Sequence, residues 1–220
     1  MPSKQQMQRW LDKTWFYSKV ILALCIFGLI AYGWGTFYPN KSAVEKVNSE
    51  LDEFYVNKIK EMDLQEPEFT FNNDTQFIRA MHKCINYINF TTPKHLRVPY
   101  EMIIGQAALE SGWGTSRFAT EGNNLFGIRT WKEDVAHLLP QGVEKWPGWG
   151  VKVFASKCDS VKYYIELLNN HSAYEKFREL RKTTNDSMKL IKTLDKFSTT
   201  ADYDQRVIRM IKKIRKLEEK

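Results

Sequence analysis

The chain has 220 residues, 43% of them apolar and 14% aromatic, with a formal charge of +7. These totals exclude wholesale disorder and allow one domain of ordinary size with appendages. The charge points to an anionic partner (nucleic acid, lipid headgroups or an acidic polymer such as a cell-wall glycan), although much of it lies at the two ends. The cysteines Cys25, Cys84 and Cys158 form no CxxC pair and, with four scattered histidines, make no zinc pattern. No metal or other cofactor is therefore expected. Cys84 and Cys158 fit either two buried free thiols or a disulfide made in an oxidising compartment.

Residues 1–19 are polar and carry Lys4, Arg9, Lys13 and Lys19 against the single acid Asp12. From Val20 to Tyr38 no side chain is charged, about the length that crosses a bilayer as a helix. Tyr17, Tyr32, Trp34, Phe37 and Tyr38 flank or close the run as an interfacial aromatic belt does. The run is long for a cleaved signal peptide, and no A-x-A site follows it. The expectation is an uncleaved, single-pass signal anchor over 20–38 in the inner (cytoplasmic) membrane. By the positive-inside rule, residues 1–19 are then cytoplasmic and everything after Tyr38 is periplasmic or otherwise extracytoplasmic.

Residues 39–73 read as a partly helical stalk. Val47, Leu51, Phe54, Tyr55 and Ile59 recur at three- and four-residue steps, an apolar stripe expected to dock on the main domain. Residues 74–220 read as that domain. Asp74 is expected to cap a helix whose apolar side is Phe77, Ile78, Met81, Cys84, Ile85 and Ile88. A loop from Pro93 to Pro99 follows, with Pro99 at the first position of the next helix. In that helix Ile103, Ile104, Ala107 and Ala108 form a buried stripe, and Gly112 and Gly114 stop it.

Glu110 thereby sits on the last helical turn, beside apolar residues and Trp113. The helix dipole and partial desolvation both favour its protonated form, the state a general acid needs. The position alone is equally compatible with an idle helix-end carboxylate. Thr115 or Ser116 is expected to cap a short helix ending before Gly122, and Asn123 to Ile128 to turn into extended chain. Between residues 129 and 153, Trp131, Trp146 and Trp149 stand among glycines and Pro147, the pattern of a small β-lobe. Further helices are expected from Ser156, over Phe177 to Leu180, over Met188 to Phe197, and over Tyr203 to Leu217. The last has a basic face against Val207, Ile208, Ile211 and Ile214; a solvated face or attraction to an anionic polymer or lipid both explain it. There is no internal repeat and no nucleic-acid motif.

The runs Val98-Pro99, Gln106 to Ala119 and Gly122 to Gly127 together resemble the glucosaminidase domains of glycoside hydrolase family 73, in the bacterial Bax-type branch. The likeness continues more weakly to about residue 214 and leaves out residues 1–70. It implies a mainly α, lysozyme-like domain with a small β-lobe, here preceded by a transmembrane helix. It also implies cleavage of the β-1,4 bond between N-acetylglucosamine and N-acetylmuramic acid in peptidoglycan glycan strands. The family's motif glutamate is the general acid, and Glu110 occupies that position. The family's second acid on the lobe corresponds best to Glu144, with Glu133 and Asp134 behind it. A base there stands about 6.5–9.5 Å from the acid in inverting enzymes; otherwise the substrate's own 2-acetamido group serves as nucleophile.

Two positions depart from the family pattern. Phe197 stands where many relatives have tyrosine, and Thr200 where some have aspartate. Tyr203 and Tyr164 match later tyrosines, so either can supply a phenol at the cleft or simply pack: Tyr203 is the catalytic candidate and Tyr164 the binding one. Trp131, Trp146 and Trp149 suit stacking on pyranose rings, whereas Trp113 suits packing. Asn123 can reach an acetamido group or stabilise its own turn; Asn124 reads as structural. A wall-binding protein with a degenerate site and a lytic transglycosylase are the competing functions.

Overall fold

A computed structural model describes residues 4–37, 41–61 and 65–219. Tyr38 and the side chains of Asp12, Phe37 and Ile59 fall outside the described residues. The chain divides into two units, Met1–Glu53 and Phe54–Lys220.

The first unit holds α1 (Lys4–Phe37) and most of α2 (Lys41–Glu61). Between Met7 and Thr36 none of the apolar window is buried, and Leu22, Phe27, Leu29, Tyr32 and Trp34 all face outward. A helix that is apolar on every side and covered by nothing suits an apolar solvent. At 1.5 Å per residue, its described uncharged part spans about 27 Å, close to a bilayer's hydrocarbon thickness. Val47, Leu51, Phe54 and Tyr55 of α2, expected to dock, are exposed. Within the second unit, Tyr55 meets the edge of Phe90, with ring centroids 6.5 Å apart.

The second unit is built around α4 (Tyr100–Ser111). Met102, Ile103, Ile104, Ala107 and Ala108 are all buried, so the helix is surrounded rather than one-sided. It is flanked by α3 (Asp74–Thr91), the short α8 (Ser187–Leu190) and the terminal α9 (Tyr203–Glu218). Gly105 lets α4 and α9 approach closely, since a Cβ there would lie 3.0 Å from Ile211. Behind α3 lies α6 (Lys157–Asn170), tied to it by a disulfide between Cys84 and Cys158, 74 residues apart. Of the two states the sequence left open, the cysteines thus take the bonded one. α5 (Arg117–Glu121) and α7 (Glu175–Arg181) complete the helices.

Phe69 and Phe71 also pack on this core, against Phe77, so the folded unit reaches back before Asp74. Several helix ends shift by one residue. Asn73 caps α3, its side chain accepting from the Gln76 amide, while Asp74 becomes the first helical residue. Pro99 precedes α4 instead of opening it. The single helix expected over Met188–Phe197 is α8 followed by a 3-10 turn, Ile191–Thr193, and a further turn closing Phe197 onto Leu194. These tight turns leave Leu190, Ile191 and Leu194 buried together.

The lobe is a three-stranded antiparallel sheet in the order β1 (Arg129–Thr130), β3 (Gly150–Lys152), β2 (His137–Leu138). Val151 lies between Arg129 and Leu138. Asn124 ties the lobe to the helices: its amide donates to the Ile128 and Lys152 carbonyls, and its oxygen accepts from the Phe126 and Ile128 amides.

Candidate active site

Glu110 stands half-buried on the last turn of α4. The helix stops because Gly112, Trp113 and Gly114 are all left-handed, with φ of 57°, 59° and 76°. A tryptophan in that conformation costs about 1–3 kcal/mol. It is held there by its amide, bonded to the Ala108 carbonyl at 2.9 Å, by the edge of its ring on Phe77, and by the Lys213 ammonium 4.4 Å over its face. Gly114 admits no side chain, because a Cβ would meet Phe71 at 2.7 Å. Ser111 closes the turn by donating to the Ala107 carbonyl and accepting from the Gly114 amide. The glycine stop read from the sequence is therefore a rigid, aromatic-clamped corner directly behind the carboxyl.

One turn below Glu110, Gln106 is fully buried among apolar neighbours. It joins a chain of polar groups from three helices. The Tyr164 hydroxyl, from α6, donates to the Gln106 oxygen. The Gln106 amide donates to the Tyr203 hydroxyl at 2.8 Å. Tyr203, at the start of α9, stands close enough to Glu110 for each to shift the other's pKa. Phe126 stacks on Tyr164 at 4.2 Å, and Phe197 packs edge-on to Tyr164 and face-on to Tyr203. Phe197 thus keeps the packing role of an aromatic at that position without a hydroxyl.

Burial raises the pKa of Glu110, while the Tyr203 hydroxyl and the positive charge of Arg206 pull it back only in part. Burial and the nearby Glu110 charge hold Tyr203 far above the usual phenol range, so it remains a proton donor at physiological pH. Burial does the same to Tyr164. A protonated carboxyl beside a permanently protonated phenol can deliver a proton and then be stabilised as an anion.

The structure brings Glu110, Tyr203 and Tyr164 into one cluster. Tyr164 is fully buried, with its phenol on Gln106, so it supports the site from behind and presents no surface to a substrate. Asn123 spends its amide on the Phe154 and Ala155 carbonyls, and its oxygen accepts from Lys157. Asn123, left-handed at φ 53°, thus ties its turn to the segment that leads into α6. Glu144, Glu133 and Asp134 are exposed on the lobe, and none has an ion pair or hydrogen bond from its side chain among the described residues. Trp131 is 71% exposed; Trp146 leans on His137 and Trp149 lies beneath the Arg129 guanidinium at 4.2 Å. Among the described residues no group of three or more His, Cys, Asp or Glu side chains is arranged to hold a metal.

Gln106 and Arg206 received no role from sequence reasoning. The signal for Gln106 was present: it is the one amide in a helix whose other inward positions are apolar. Arg206 carried no such mark, being one of many cations on α9.

The family profile described as mannosyl-glycoprotein endo-beta-N-acetylglucosaminidase matches residues 91–216. Over 84 residues the chain is 40% identical to the protein bax of Escherichia coli K12, a match covering 38% of this chain and 28% of bax. Over 134 residues it is 26% identical to the peptidoglycan hydrolase FlgJ of Salmonella typhimurium, covering 56% of this chain and 42% of FlgJ. The chain therefore spans less than half the length of either relative. The catalytic domain of the autolysin Auto from Listeria monocytogenes superposes with a TM-score of 0.50 at 19% identity, over 74% of this chain and 96% of that domain. At that identity the likeness is one of fold.

Proposed function

The chain belongs to the glucosaminidase family, and from that premise we propose that it is a membrane-anchored peptidoglycan hydrolase. It cleaves the β-1,4 bond between N-acetylglucosamine and N-acetylmuramic acid, with Glu110 as general acid. The observation that carries this reading is the half-buried carboxyl, its pKa raised by burial, on a clamped helix end beside the Tyr203 phenol. The relatives named for peptidoglycan hydrolysis support the polymer as substrate.

In this mechanism Glu110 protonates the leaving glycosidic oxygen as positive charge develops on the sugar. The resulting carboxylate is stabilised by the Tyr203 hydroxyl and by Arg206. Gln106 keeps the Tyr203 hydroxyl oriented by donating to its oxygen, which leaves the phenolic proton for Glu110. Trp131, Trp146 and Trp149 offer apolar faces to the sugar rings from the lobe.

Glu144 is the base assigned to activate water on the opposite face, a route that inverts the anomeric centre. A specific observation favours a second route, in which the 2-acetamido group of the substrate attacks. Glu144, Glu133 and Asp134 are all exposed on the lobe, whereas Glu110 is half-buried with its pKa raised by burial. Product anomers measured by NMR at early times separate the two: inversion assigns a base, retention assigns the acetamido group.

The apolar, uncovered α1 supports anchoring, and its basic N-terminal flank supports an extracytoplasmic domain. The decisive experiment is release of reducing ends from purified cell wall by the full chain in detergent. Equal activity in wild type and Glu110→Gln would sink the assignment. Anhydro-muramic ends would select a transglycosylase, and binding without cleavage at any pH would select a wall-binding protein.

A further inference from the structure

Beyond Glu110 the exposed face of α9 carries an open groove of about 260 Å³, lined by Leu109, Arg206, Arg209, Met210 and Lys213. The groove is linked to the acid through Arg206, whose charge acts on Glu110. Arg206 and Arg209 stand about one turn apart on α9 and both line the groove. The two arginines stand about 5 and 9 Å beyond Tyr203 along the helix axis. Lys213 is already engaged, bonded to Asp74 at 2.7 Å and stacked over Trp113. Arg206 and Arg209 are exposed and have no ion-pair partner among the described residues. The acids around them do not neutralise them: Glu110 faces Arg206 from α4, Asp204 is turned onto Gln205, and Asp202 is exposed at the start of the helix.

The chemistry of the proposed reaction says what comes to this place. A general acid stands over the oxygen that leaves, which in this reading is O4 of N-acetylmuramic acid. On the adjacent carbon of the same sugar, O3 carries the lactyl ether and, through it, a peptide with free carboxylates. An anionic substituent is thus delivered beside Glu110 on the leaving side whenever the bond is seated for cleavage. Guanidinium groups suit carboxylates because their planar forks donate two parallel hydrogen bonds.

We propose that Arg206 and Arg209 form a subsite for the carboxylates of the lactyl-peptide substituent on the departing sugar, so that the enzyme prefers the charged wall glycan to an uncharged one. The proposal rests on the reading of the chain as a peptidoglycan hydrolase and adds the source of its selectivity.

The test compares soluble peptidoglycan fragments with the same fragments after their carboxylates have been converted to amides. The full chain in detergent is used, as wild type, R209Q, R209K and R206Q/R209Q. Exposed charge pairs of this kind contribute roughly threefold each. The wild type is expected to favour the carboxylate form by about tenfold in kcat/KM, R209Q by about threefold, and the double variant by close to none. R209K should recover part of the preference, and added salt should erode it in the wild type. A preference that is the same in wild type and double variant overturns the proposal, as does no preference in the wild type. Binding of both fragments to Glu110→Gln is measured in parallel. If the wild type cleaves neither fragment, the hydrolase reading fails, and the binding preference then decides the subsite: equal affinity for both forms refutes it.

Discussion

The helical wall that holds Glu110 and the loop lobe that holds Glu144 present the same functional group in opposite settings. In the wall, residues 102–108 of α4 are all buried, its one inward amide is bonded at both ends, and two phenyl rings, Phe126 and Phe197, pack on the two tyrosines. In the lobe, three strands of two or three residues are joined by exposed loops, and the acids point into solvent. A carboxyl that must keep its proton needs the first setting, because burial is what raises its pKa. Side chains that only grip a polymer tolerate the second. In the proposed mechanism the difference suits the wall to the general acid and the lobe to contact with the polymer.

Glu110→Gln should break the comparison most severely. Activity is expected to fall by about 10²–10⁴, read as reducing-end release. The wild-type rate should decline as pH rises through the raised Glu110 pKa. The same substitution should stabilise the protein at neutral pH. With a pKa raised by folding, Glu110 contributes fully to stability below the ordinary carboxylate range and loses that contribution as pH rises through the folded value. Thermal unfolding of the two proteins should therefore diverge at neutral pH and converge in acid; identical curves at both would remove burial as the cause.

Next in size is the brace behind the wall. Replacing both Cys84 and Cys158 with serine opens a loop of 74 residues and should cost about 4 kcal/mol in urea unfolding. A smaller loss, about 1–3 kcal/mol, is expected for Gln106→Leu, which strands two buried hydroxyls. Tyr203 then becomes a weaker donor to Glu110, so the alkaline limb of the pH–rate profile should move to higher pH. An unmoved limb together with the stability loss would reduce Gln106 to packing.

The mildest change is expected in the lobe. Trp149→Ala should weaken glycan binding by roughly fivefold, about 1 kcal/mol, and leave the unfolding curve almost where it was. A large fall in stability there would show that the lobe, like the wall, is part of the folded framework.

How far the sequence carries depends on how local each feature is. Ser116 and Ser156 cap their helices as read, each accepting from an amide three residues on. The apolar stripe of α3 is buried as its period requires, and the Gly112–Gly114 stop falls where it was placed. The uncharged run of α1 forms a continuous helix, since composition and length alone govern it. Features of this kind are written within about four residues, the reach of a helical turn or a cap.

The tertiary structure decided the rest. Gln106 meets Tyr164 across 58 residues and Tyr203 across 97, and Cys84 meets Cys158 across 74. No periodicity encodes these meetings, because they depend on how α3, α4, α6 and α9 cross. The same crossings buried Tyr164, which the sequence left free to face a substrate, and gave the proton-holding environment to Glu110. The sequence by itself determined where a carboxyl would stand on its helix; only the packing around it determined that its pKa is raised, because desolvation is a property of neighbours brought from far along the chain.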